Sequence, residues 1–222
     1  MIKENFVSAL ADYIYLIRRG YPERLFLQMV SDHYRLTATE RSILYRGAAH
    51  PEMVKLSRIK LLTGEELSGK TLHIDGLNVL TTVASYLTGI PVFMAMDGVV
   101  RDAAQRRGSL HQVQYELPVQ LFSKALSNLP QEMAVVYLDK KAAISKKIAK
   151  WLMAKEAKNV KVLLVDDADD ALMKLTYGAI ATSDRLVITD AGADIFDLAS
   201  YILHQNFDLK ILDLNDLISI AG

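Results

Sequence analysis

The chain of 222 residues contains no cysteine. Disulfides and thiolate metal sites are therefore excluded, and the cytoplasm is the expected compartment. Net charge is absent too: 26 Lys and Arg balance 26 Asp and Glu. No apolar run approaches the roughly 20 residues of a membrane span, so no membrane partner is expected. The opening MIKENFVSALADY carries acids and no long apolar core, and is not expected to act as a secretion signal. There is no internal repeat or low-complexity tract. G-x-G-x-x-G, P-loop and G-x-S-x-G patterns are missing, which leaves nucleotide-dependent phosphotransfer and serine-based hydrolysis without a motif. His33, His50, His73, His111 and His204 show no metal-ligand spacing.

The charge that is present is unevenly spread. Residues 1–62 hold ten bases against six acids, a net +4; residues 162–222 hold three bases against eleven acids, a net −8. All eleven of those acids are aspartate. Solvated helix faces favour Glu over Asp. Aspartate therefore points to strand ends and helix caps, or more sharply to metal ligation.

Residues 1–62 read as a small all-α module. Phe6, Leu10, Tyr13, Ile14 and Ile17 fall on one helix face. Pro22 suits the first turn of a second helix. Thr37 and Glu40 form a capping-box pattern before a third, and Pro51 opens a fourth. The second and third helices have helix-turn-helix proportions, with Thr39, Arg41 and Ser42 placed to meet DNA bases. Residues 63–70 (TGEELSGK) read as a linker.

Residues 71–222 change period. Apolar runs are expected as strands at 71–80, 90–96, 134–138, 160–165, 186–189 and 209–212. A hairpin partner for 90–96 is expected at 113–117, making 90–116 an insertion. Helices are expected at 117–129, 142–155, 168–180 and 195–203. Apolar strands alternating with helices predict an α/β fold with a mainly parallel sheet covered on both faces.

In such sheets, sites form beyond the C-terminal strand ends. The predicted strands run into Asp75, Asp97, Asp139, the pair Asp166 and Asp167 (with Asp169 and Asp170 a turn later), and Asp190. Carboxylates gathered there repel one another unless a cation intervenes. Hard oxygen ligands suit Mg²⁺ or Mn²⁺. A metal so held can bind a phosphodiester oxygen and activate water. Asn78 is placed to orient a ligand.

These residues resemble a known family. Asp75-Gly76-Leu77-Asn78 after an apolar run resembles the opening D-G-x-N motif of PIN-like nucleases, particularly the NYN branch. The segment Asp167-Ala168-Asp169-Asp170-Ala171-Leu172 resembles that branch's acidic helix start, and Thr182-Ser183-Asp184 its TSD motif. The resemblance spans about residues 70–205. It implies a PIN-like three-layer sandwich and a metal-dependent endoribonuclease. Asp75, Asp169 or Asp170, and Asp184 or Asp190 would be the catalytic acids, with Asp139 and Asp167 adding to the metal set. RNA is the implied partner ahead of DNA, and PIN-like domains often dimerise. A catalytically inactive module binding RNA or protein, and a metal-dependent phosphatase, are the alternatives.

The expected insertion has its own signal. Asp97-Gly98-Val99-Val100-Arg101-Asp102, then Arg106 and Arg107, forms a turn followed by a basic cluster. Arginine forks suit phosphate, so Arg101, Arg106 and Arg107, with Asp97 and Asp102 in the same turn, are expected at the substrate. The lysine-rich segment 140–161 is a solvated helix face or a phosphate-tracking one.

Overall fold

The computed structural model describes residues 4–104, 115–154 and 159–221. The molecule is an α/β protein with a parallel five-stranded sheet and a helical N-terminal region.

Four helices come first: α1 (Glu4–Arg18), α2 (Glu23–His33), α3 (Ala38–Gly47) and α4 (Pro51–Lys60). The capping box forms as the sequence indicates. The Thr37 hydroxyl accepts from the Glu40 N–H, and the Glu40 carboxylate accepts from the Thr37 N–H.

The large sheet contains β1 (Thr71–Asp75), β4 (Met133–Asp139), β5 (Val160–Val165), β6 (Ala179–Ala181) and β7 (Asp194–Ile195), in the order β5-β4-β1-β6-β7. Alternation along the strands feeds two apolar clusters. Ala179 and Ala181 of β6 enter one, with α5 (Gly76–Leu87), α6 (Glu116–Asn128), α7 (Ser145–Met153) and α10 (Leu198–Asn206). Ile180, between them, enters the other, with α8 (Ala168–Met173) and α9 (Arg185–Asp190). Two-residue alternation in a sheet buried on both sides produces this division.

A second sheet is small and mixed. β2 (Val92–Met94) pairs antiparallel with β3 (Val100–Asp102) and parallel with β8 (Leu212–Asp213), just before α11 (Leu214–Ala221). The N-terminal helices pack on this sheet. Phe6, Leu10, Tyr13 and Leu44 share one cluster with Phe93, Ala95, Met96 and Leu214. The segment after α4 also grips the large sheet, where the Leu62 N–H donates to the Ile195 carbonyl at 2.8 Å.

Several expectations are corrected. The strand expected over 71–80 ends at Asp75, and Gly76 starts a helix, because the Asp75 carboxylate caps it by accepting the Asn78 N–H. The run at 186–189 is helical, not a strand: Leu186 is exposed, Val187 and Ile188 are both buried, and Asp184 caps the turn. This helical burial pattern breaks the alternation of a half-buried strand. The helix expected over 168–180 stops at Met173, and Gly178, at φ +74, turns the chain into β6. The partner of β2 is Val100–Asp102 rather than 113–117. Arg106 and Arg107 lie outside the described residues.

Candidate functional site

The sheet order places a switch point between β1 and β6. From β1 the chain adds β4 and β5 on one side, then returns to place β6 on the other. Connections leave the two sides in opposite directions, so a crevice opens at the C-terminal ends of these strands. There Asp75 ends β1 and Thr182-Ser183-Asp184 follows β6.

The local geometry is tightly determined. Asp75 is 4% exposed. One of its oxygens accepts the Asn78 N–H at 3.1 Å, and the other accepts the Thr182 hydroxyl at 3.2 Å. Asn78, in the first turn of α5, reaches across to β6. Its side-chain oxygen accepts from the Ser183 N–H at 2.8 Å and the Ser183 hydroxyl at 2.9 Å. Asp184 caps α9 by accepting the Leu186 N–H at 2.9 Å. Asp139, at the end of β4, accepts the Ala168 N–H at 2.9 Å and so ties α8 to the same rim. Gly76 is required by close approach: a Cβ there would lie 2.7 Å from both Leu138 and Val136.

Asp75, Asp139 and Asp184 line one cavity of about 490 Å³. Its other wall comes from α3, through Ser42, Tyr45 and Arg46. Three arginines border the cavity, each paired with an acid. Arg101 forks onto Asp97 with two contacts of 2.7 Å, and its Nε donates to the Ser183 carbonyl at 2.8 Å. Arg46 meets Asp102 at 3.0 Å, and Arg185 meets Glu23 at 2.6 Å. Asp75, Asp139 and Asp184 lie beside these three pairs on the cavity lining.

Among the described residues, no three His, Cys, Asp or Glu side chains form a ready-made metal group. Mg²⁺ seldom needs one. It keeps several waters and commonly takes one or two carboxylates plus substrate phosphate. Asp75 at the end of β1 and Asp184 just beyond β6 both line the cavity.

The other expected site residues are placed differently. Arg101 lines the cavity but is 2% exposed, with its fork on Asp97 and its Nε on the Ser183 carbonyl. Asp97 pairs with Arg101, and Asp102, which lines the cavity, pairs with Arg46. Asp167 caps α8 by accepting the Asp170 N–H, and Asp170 also pairs with Lys174. Asp167, Asp169 and Asp170 follow the edge strand β5 and do not line the cavity. Asp190 ends α9 exposed, because the strand that was to deliver it is a helix. His73 is buried and its basicity lowered by desolvation; its Nδ1 lies 3.1 Å from the Tyr137 hydroxyl. Sequence reasoning missed Tyr45, Arg46, Thr81 and Tyr115. No motif marks them, since only the packing of α3, α5 and α6 brings them to the cavity. Thr182 and Ser183 were signalled by the TSD triplet but not read as part of the site.

A family model described as "Domain of unknown function (DUF5616)" matches residues 64–201. The chain belongs to the DUF5616 family. That DUF5616 segment carries Asp75, Asp139 and Asp184 together. A second model, "Protein of unknown function (DUF434)", matches residues 5–60, the helices that supply the opposite cavity wall. The chain is also similar to a protein of Methanocaldococcus jannaschii called "Uncharacterized protein MJ0935", at 30% identity over 191 residues, covering 82% of this chain and 88% of that one. No solved structure matches the chain. Among the described residues, no helix is long and apolar enough to cross a membrane.

Proposed function

We propose that the chain is a cytoplasmic endoribonuclease with a PIN-like three-layer domain, hydrolysing RNA phosphodiesters with Mg²⁺ or Mn²⁺. The observation that carries this reading is the convergence of Asp75, Asp139 and Asp184 on one cavity at the switch point of a parallel sheet. Asp75 and Asp184 would hold the ion, and Asp139 would support it from β4. When bound, such an ion polarises a phosphoryl oxygen and lowers the pKa of a bound water. The chain's own residues hold the geometry. Thr182 and the Asn78 N–H fix both oxygens of Asp75, while Asn78 and Arg101 lock Ser183 from its two sides. This bracing keeps the carboxylates rigid before substrate arrives, which is where electrostatic catalysis gains most.

The test is cleavage of mixed single-stranded RNA by the purified chain with Mn²⁺, beside the Asp75→Asn variant. The wild type should cleave, and the variant should lose at least about a hundredfold in rate, the scale of removing one preorganised charge-stabilising group. Equal cleavage by the two proteins, or none by the wild type, contradicts the reading. Turnover of a small phosphomonoester without RNA cleavage would point to a phosphatase instead.

A further inference from the structure

The cavity wall opposite the carboxylates is built from the N-terminal helices, and its chemistry differs from that of the floor. Tyr45 on α3 borders the cavity with 45% of its surface exposed, and it belongs to none of the apolar clusters. A tyrosine presents a flat apolar ring with a polar tip. Its position is held firmly. The Arg185 guanidinium lies 5.9 Å from the ring centroid, and Arg185 is itself anchored by Glu23 on α2 and by the Ala48 carbonyl at 2.8 Å. Leu77, Ile144 and Leu186 add apolar surface to the cavity lining. Ser42 and Thr81 supply hydroxyls, and Tyr115 is fixed by a 3.2 Å contact between its hydroxyl and that of Thr81. Among the described residues, the arginines of this wall, Arg46 and Arg185, are paired with Asp102 and Glu23.

We propose that Tyr45 makes this wall a nucleobase subsite: it stacks a base of single-stranded RNA while the attached phosphate faces Asp75 and Asp184. The inference rests on reading the carboxylate floor as a phosphodiester site. A base is the ligand such a wall suits. It is flat and neutral, carries hydrogen-bonding edges for the hydroxyls, and lies one sugar away from the phosphate. Base–aromatic stacking tolerates sequence, because every base presents a π-face. The volume of about 490 Å³ lies in the range of pockets that enclose a small organic ligand. The helical region thereby becomes part of substrate recognition, not a separate tether.

The experiment measures binding of a short fluorescein-labelled single-stranded RNA to the full chain by anisotropy, with Ca²⁺ in place of Mg²⁺. Tyr45→Ala should weaken binding about tenfold, while Tyr45→Trp stays within about twofold of wild type. Fully abasic RNA of the same length should bind Tyr45→Ala and wild type equally. A merely structural role for Tyr45 would weaken both probes together and overturns the proposal. So does an unchanged affinity in Tyr45→Ala, or no RNA binding by the wild type. The two readings fail separately. Tyr45-dependent binding without cleavage rejects the nuclease and keeps the subsite; cleavage with a KM unaffected by Tyr45→Ala rejects the subsite and keeps the nuclease.

Discussion

At the scale of single residues, part-buried polar groups outside the cavity lining hold the surrounding segments together. Asp197 illustrates this. It caps α10 by accepting the Ser200 N–H at 2.9 Å, and it accepts the Val100 N–H at 2.6 Å. Burial raises its pKa from 3.8 to about 6, opposed by those two bonds and by Arg101, and aided by Asp97. The folded state therefore binds this proton more tightly than the unfolded chain does. Asp197's contribution to stability is most favourable below 3.8 and declines as pH rises towards about 6. Asp197→Asn removes that ionisation. Its stability relative to wild type should rise across this window by something on the order of 3 kcal/mol. Urea unfolding of both proteins at a series of pH values checks this; a pH-independent difference contradicts it.

At the scale of elements, the β1–α5 junction carries the site. Asp75 caps, Gly76 lets α5 start against β4, and Asn78 crosses to Ser183. Gly76→Ala should cost about 1–3 kcal/mol by overpacking against Leu138 and Val136, and should displace Asp75 as α5 shifts. Urea unfolding and RNA cleavage should fall together; wild-type values for both would show that the junction yields freely. This junction also marks where sequence reading succeeds and stops. Asp75 was legible as a strand end because an apolar run precedes a turn-prone D-G pair. The apolar run nevertheless predicts a strand as far as Leu80, since Val79 and Leu80 fit a buried helix as well as a buried strand. The same ambiguity hid α9: four residues at 186–189, three of them apolar, carry too few periods to choose. Once α9 is a helix, Asp184 is the acid at the end of β6, and Asp190 is turned out to solvent. The helices at 4–60 were readable from local signals alone, as the Thr37–Glu40 box shows. The pairing of β2 with β8 was not, because some 120 residues of chain separate Phe93 from Leu212.

At the scale of the whole molecule, the helical region and the α/β region are one body. Met96 donates its N–H to the Gly47 carbonyl at 3.0 Å, and a Cβ on Gly47 would strike Leu214 and lie 2.8 Å from Phe93. Cutting the chain near residue 62 would bare that apolar surface. The chain should therefore unfold in one transition. In urea, fluorescence of its single tryptophan, Trp151 on α7, should coincide with far-UV circular dichroism. Early loss of helical signal, ahead of the fluorescence change, would show two independent units. Shared packing of this kind also explains how α3 can serve as a fixed wall for a cavity whose floor belongs to the parallel sheet.

The central claim is that the floor of that cavity binds a divalent cation. Crystals of the full chain soaked in Mn²⁺ and measured at an anomalous wavelength test it most directly. The account predicts an anomalous peak about 2.0–2.2 Å from carboxylate oxygens of Asp75 and Asp184, with water completing the shell. No peak in the cavity, or a peak confined to the exposed aspartates that follow β5, would contradict it.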